Sequence, residues 1–136
     1  MIIKKLELAD YRNYESLELQ FDKGTNILYG DNAQGKTNIL EAIYVAATTK
    51  SHKGSKDKEI VNFNKEEAHI RTYLEKEGVE TRVDMHLRKS KSKGIAIDCQ
   101  KIKNRGIDVT NNQVNIVTYD KIIFIGISNG MLIIKT

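Results

Sequence analysis

Proline is absent from the 136 residues, against an average usage of about 5%, so the chain has no cis-proline turn and no proline-rich recognition tract. Cysteine occurs once, at Cys99. An internal disulfide and any multi-cysteine metal centre are thereby excluded, zinc fingers among them, which agrees with a reducing compartment. No stretch reaches the roughly 18 apolar residues that cross a bilayer. The opening MIIKKLELADY lacks the apolar run of a signal peptide, and a cytoplasmic location is expected. There is no internal repeat, heptad or low-complexity tract. The three histidines, His52, His69 and His86, are scattered along the chain, and no metal site is expected from them.

A composition of 40% hydrophobic and 29% charged residues is that of one ordinary soluble domain with a single core. The net charge of +4 is a mild lean toward polyanions. Apolar runs at 2–8 and 17–21 predict two short strands, the second by the alternation of Leu17, Leu19 and Phe21 with Glu18 and Gln20. A loop from Ala9 to Ser16 is expected between them. Thr25 to Tyr29 reads as a third strand running into Gly30, and from Lys36 onward Ile39, Leu40, Ile43, Tyr44 and Ala47 mark one helix face. Lys50 to Lys58 reads as an exposed basic loop. Ala68 to Glu75 and Val79 to Leu87 predict a hairpin turning near Glu77-Gly78, continued by Ile95 to Asp98, a tight turn at Cys99-Gln100, and Lys101 to Lys103. Residues 68–103 are thus expected to form an antiparallel meander. Beyond them, Ile122 to Ile127 and Met131 to Ile134 are two apolar runs suited to another hairpin, and to an aggregation-prone edge if uncovered.

Between the third strand and the helix lies Gly30-Asp31-Asn32-Ala33-Gln34-Gly35-Lys36-Thr37, which matches the phosphate-binding pattern G-x-x-x-x-G-K-[ST]. Glycines at 30 and 35 allow backbone angles that let successive N–H groups turn inward around an anion. The helix beginning near Lys36 aims its positive end at the same phosphates. Lys36 supplies an ammonium for the β and γ phosphates, Thr37 a hydroxyl for Mg²⁺, and Asn32 and Asn38 side-chain hydrogen bonds. The strand, glycine loop and helix are the context this motif requires.

Around that loop the segments YRNY (Tyr11 to Tyr14), GDNAQGKTN, LEAIY (Leu40 to Tyr44) and KSHK (Lys50 to Lys53) resemble the amino-terminal part of the RecF family, bacterial replication and repair ATPases of the ABC type related to SMC heads. The resemblance runs to about IAIDCQKIK, ending at Lys103. It implies an ATP-binding head domain that dimerises around ATP, engages gapped or single-stranded DNA, and works with recombination mediator proteins in the response to DNA damage. It implies further that Lys36 and Thr37 are the phosphate and magnesium residues, with Asn38, Arg12 and Asn13 near the nucleotide. Arg12 reads equally as a solvated loop charge.

Two departures stand out. Cys99 occupies a turn where glycine is usual in the family, which strains a positive-φ position. Beyond Lys103 no ABC signature, Walker B carboxylate or switch residue is recognisable, and Asp108 and Asp120 are isolated acids. The chain is therefore expected to divide into a RecF-like lobe at 1–103 and a divergent tail at 104–136, either natural or the product of an altered reading frame.

Two basic clusters remain. Lys50, Lys53, Lys56 and Lys58 crowd the loop after the helix; Arg88, Lys89, Lys91, Lys93, Lys101, Lys103 and Arg105 crowd the meander turns, with Asp98 the acid among them. Solvated turns account for such lysines equally well. With the family resemblance, Lys50, Lys53, Lys56, Arg88, Lys89, Lys91 and Lys93 become candidate contacts to DNA phosphates, without sequence-specific reading. The expectation is an α/β P-loop ABC-type ATPase head, first lobe, with an antiparallel β meander. It binds ATP and Mg²⁺ and DNA, no catalytic residue is assigned, and hydrolysis by this chain alone is doubtful. The rivals are a small P-loop phosphoryl-transfer enzyme, which the scarcity of arginine disfavours, and a non-functional fragment.

Overall fold

Alternating apolar and polar side chains drive more than half of the described residues into strands, and one apolar-faced segment into a long helix. The computed structural model describes residues 2–29, 33–98, 100–102, 123–128 and 131–135. In chain order it contains β1 (Ile2–Tyr11), β2 (Tyr14–Gln20), β3 (Thr25–Tyr29), α1 (Ala33–Thr48), α2 (Asp57–Ile60), β4 (Glu67–Lys76), β5 (Val79–Arg88), β6 (Gly94–Ile97), β7 (Gln100–Ile102), β8 (Ile123–Ser128) and β9 (Met131–Lys135).

A six-stranded sheet of order β2-β1-β4-β5-β6-β7 carries the expected meander, extended by β1 and β2. All its pairings are antiparallel. The Ala9 to Ser16 loop is mostly strand: Ala9 pairs with Ser16 and Tyr11 with Tyr14, leaving Arg12 and Asn13 as the whole turn. Tyr11 is completely buried, and that burial pulls the end of β1 into the core although its neighbours are polar. The β4–β5 hairpin turns at Glu77 and Gly78, both at positive φ (52° and 78°), as a two-residue type I′ turn requires. The β6–β7 turn falls one residue earlier than expected. Ile97 pairs with Gln100, so Gln100 is strand rather than turn, and Asp98 is at a positive φ of 47°. Cys99 itself, and the strain expected there, lie outside the described residues.

The helix α1 starts at Ala33, three residues before Lys36. Its buried face is Ile39, Ala42, Ile43 and Ala46, joined by Val45; Leu40, Tyr44 and Ala47, expected on the core face, are only half-buried. The helix packs against β4 and β5 of the large sheet and also against β9, so burial reaches around more than one stripe. Each fully buried aliphatic side chain there contributes about 1.5–3 kcal/mol. The expected loop from Lys50 to Lys58 ends in α2, whose Ile60 is buried.

The apolar runs of the tail form the hairpin β8–β9, and β9 pairs antiparallel with β3 from Thr25↔Lys135 to Tyr29↔Met131. This second sheet, of order β3-β9-β8, holds the strand that leads into the phosphate loop. The tail thus pairs within its own chain. Asp108 and Asp120 lie outside the described residues.

Candidate nucleotide and nucleic-acid site

β3 ends at Tyr29 and α1 begins at Ala33, which leaves three residues, Gly30, Asp31 and Asn32, to make the turn of the phosphate loop. Those three lie outside the described residues. Ala33 and Gln34 open the helix, and Gly35, Lys36 and Thr37 complete its first turn and a half. No acidic residue stands in the first turn of α1, and the positive end of a helix favours negative charge. Lys36 is buried, at 6% exposure. A lysine and a hydroxyl-bearing threonine at the start of a helix are a donor set whose chemistry fits phosphate and an accompanying Mg²⁺.

Gly35 departs from the expected reason for a glycine. Its backbone is helical and its φ is not positive; instead, a Cβ there would meet the Tyr14 hydroxyl oxygen at 2.7 Å, closer than side chains pack. Tyr14, at the start of β2, lies against Gly35 in the first turn of α1. Glycine is needed at 35 for that close approach.

The Arg12-Asn13 turn feeds a polar network around Glu41, about a turn and a half beyond Lys36 in α1 and completely buried. Arg12 Nε donates to Glu41 Oε2 at 2.9 Å and Nη2 to Oε1 at 2.8 Å, a bidentate pair. Arg12 Nη1 also donates to the Glu59 carbonyl (2.8 Å) and Nη2 to Ser55 Oγ (2.9 Å). Ser51 Oγ donates to Glu41 Oε1, and Lys53 Nζ lies 3.6 Å from Oε2. Burial pushes the Glu41 carboxyl up, but the hydrogen bonds from Arg12 and Ser51 and the charges of Arg12 and Lys53 outweigh it and hold the group below the usual carboxylate range. Burial, with the adjacent Glu41 charge, pushes the Tyr11 phenol up. Asn38 Nδ2 donates to Asn13 Oδ1 (2.8 Å), and Lys53 Nζ donates to Asn38 Oδ1 (3.1 Å). Arg12, Asn13, Asn38 and Lys53 are thus brought together beside the loop, with Arg12 braced by its neighbours. Glu41, Ser51, Ser55 and Tyr14 escaped the sequence reading, although a glutamate inside an apolar helix face was a readable sign of a buried pair.

The two basic clusters, separate in sequence, meet in space. Lys93 Nζ pairs with Asp57 at 2.9 Å and donates to the Thr49 carbonyl, tying the β5–β6 turn to the segment that holds Lys50, Lys53, Lys56 and Lys58. Lys93 is therefore ion-paired rather than solvated. Lys50, Lys56 and Lys91 are exposed; Arg88 is turned toward His86. Lys89 Nζ donates to the Phe63 carbonyl at 2.9 Å. Phe63 is 91% exposed on a loop fixed by the Arg12 N–H to Ile60 and Asn62 N–H to Asp10 backbone bonds. With Arg12, Asn13, Asn38, Lys58 and Lys89 it lines a cavity of about 410 Å³.

The histidines are not all scattered. His69 and His86 occupy directly paired positions of β4 and β5, with ring centroids 4.2 Å apart and planes 20° from parallel. Hairpin register brings them together, and sequence separation conceals it. His52 stands apart, edge-on to Tyr44.

A phosphate-loop motif between a strand and a helix, beside an antiparallel sheet, defines the first lobe of a P-loop ATPase head. The chain belongs to the AAA domain family, whose model matches residues 5–129. It is 63% identical over 103 residues to the DNA replication and repair protein RecF of Agathobacter rectalis, covering 76% of this chain and 28% of that protein. The chain therefore spans a little over a quarter of that relative, and the likeness is to its amino-terminal portion. A solved structure of the recombination mediator protein RecF with ATP, from the RecFOR pathway, superposes with a TM-score of 0.71 at 32% identity over 76% of this chain and 29% of that one. A structure from work on the ATP-driven dimerisation of SMC ATPases shares the fold, with a TM-score of 0.64 at 20% identity over 74% of this chain and 71% of that one. No helix among the described residues is long and apolar enough to cross a membrane.

Proposed function

We propose that this chain is the nucleotide-binding lobe of a DNA replication and repair ATPase, taking ATP with Mg²⁺ at Gly30 to Asn38 and touching DNA through its basic surface. The observation that carries the reading is the GKT sequence in the acid-free first turn of α1. The Thr37 hydroxyl would be the ligand this chain offers to Mg²⁺, which would supply neutralisation of phosphate charge. Lys36 neutralises phosphate charge, and Asn13 and Asn38, already hydrogen-bonded to each other, border the loop. Arg12 acts as a positioning residue through Glu41. Because Glu41 is taken up by Arg12, Ser51 and Lys53, it is not available to hold metal or activate water, and the proposed activity of this chain is binding. Gapped or single-stranded DNA as the polyanion, recombination mediators as partners and an ATP-dependent homodimer are proposed by analogy with the RecF relatives.

Lys50, Lys56, Lys89 and Lys91 supply the phosphate contacts, and Phe63 a face on which a base can stack. Fluorescence anisotropy with a gapped oligonucleotide tests this across salt concentrations. Affinity should fall linearly on log-log axes as counterions are displaced. Lys89→Gln with Lys91→Gln should flatten the slope by about 1–2, whereas Lys93→Gln, whose charge is spent on Asp57, should change it little. An unchanged slope in the double variant would return these lysines to solvated turns.

A further inference from the structure

The outward face of the β4–β5 hairpin, away from α1, carries Glu67, His69 and His86, each presenting one ligand atom within 4.8 Å of the other two. Strand geometry produces the cluster. His69 and His86 are cross-strand partners, and Glu67 lies two residues before His69 on the same face. Glu67 Oε2 and His86 Nε2 are already 2.7 Å apart. The flanking strands place the smallest side chains next to the pair: Ala9 of β1 is opposite His69, and Gly94 of β6 is opposite His86. An open cavity of about 570 Å³ results above the two rings, lined also by Ser16 and Ala96. We propose that Glu67, His69 and His86 form a divalent transition-metal site, suited to Zn²⁺, with the open side left for water or an external ligand.

Two imidazoles and one carboxylate are a borderline donor set that favours Zn²⁺ over Mg²⁺, which prefers an all-oxygen shell. Donors about 2.0–2.2 Å from a tetrahedral Zn²⁺ stand roughly 3.3 Å apart, so no pair, all being within 4.8 Å, needs to close by more than about 1.5 Å, while the Glu67–His86 pair at 2.7 Å opens slightly. Side-chain rotation on a fixed hairpin achieves that. The site is separate from the phosphate loop and asks nothing of the nucleotide.

One neighbour opposes the metal. Arg88 donates to His86 Nδ1 from Nη2 at 3.1 Å and from Nε at 3.3 Å, which leaves the ring proton on Nε2, facing Glu67. Metal at Nε2 requires that proton to move to Nδ1, and the guanidinium to swing off. Arg88 therefore weakens the site, and its removal should strengthen it.

Calorimetric titration of the full chain with ZnCl₂ alone, in a buffer free of phosphate and nucleotide, tests the proposal. The parent, and equally Cys99→Ser and His52→Ala, should bind one Zn²⁺ per chain. His69→Ala and Glu67→Gln should each weaken binding at least about tenfold, and Arg88→Gln should tighten it. Thermal melting of each variant without metal confirms that the hairpin is intact, since all three ligands lie on the solvent face. Absence of saturable one-to-one binding, or equal affinity in the parent and a folded His69→Ala variant, would overturn the site. Loss of binding in Cys99→Ser would assign the metal to the thiol and overturn it too.

Discussion

Gly35 shows how one residue couples a motif to the strand that covers it. The pattern G-x-x-x-x-G-K-[ST] marked it correctly as glycine-requiring, but the cause is the Tyr14 hydroxyl rather than a left-handed backbone, and only the three-dimensional fold reveals that. Gly35→Ala should destabilise the chain by about 1–3 kcal/mol through overpacking. Tyr14→Phe, which deletes the clashing oxygen, should recover most of the loss in a double-mutant cycle read by urea denaturation. Additive losses would place the strain elsewhere. Glu41 has its own signature. Its carboxyl is held below the ordinary value of 4.5 in the folded chain, so the stability it contributes is complete above that pH and is lost as pH falls through the folded-state value. Comparing wild type with Glu41→Gln by denaturation across acidic pH should show the two curves converging at low pH. A constant gap would mean that the Arg12–Glu41 pair is not what the glutamate supplies.

At the scale of elements, the strands with clean alternation were legible in the sequence: β3, the β4–β5 hairpin with its Glu77-Gly78 turn, and the tail hairpin all lie where the pattern puts them. The end of β1 was not, because Asp10, Arg12 and Asn13 carry loop chemistry while Tyr11 between them is buried. Nor was the join of β9 to β3, a pairing across about a hundred residues that no local pattern encodes. This pairing changes the outlook for the tail. Among the described residues β9 is the one strand neighbour of β3, so deletion of residues 104–136 removes the ladder that steadies the strand feeding the phosphate loop. The truncated chain should melt at a lower temperature and bind ATP more weakly. An unchanged melting temperature and unchanged ATP affinity would show that the tail is foreign to the fold.

Over the whole molecule, two sheets and the helix α1 between them bring three features to one region: the acid-free start of α1, the Arg12–Glu41 brace, and the basic segments joined by Lys93 and Asp57. The phosphate-loop motif was readable because it resides in contiguous residues, and the strand before it and the helix after it lie where the sequence puts them. The brace and the merged basic surface were not, since each depends on residues dozens of positions apart. Arg12 was noticed without its Glu41 partner, and Glu41 was passed over inside a run of helix formers. The central claim is that the loop holds ATP, and isothermal titration of the chain and of Lys36→Ala with ATP-Mg²⁺ tests it most directly. The parent should bind one ATP, and the variant, folded by its melting curve, should lose that binding. Equal affinity in the two would contradict the account.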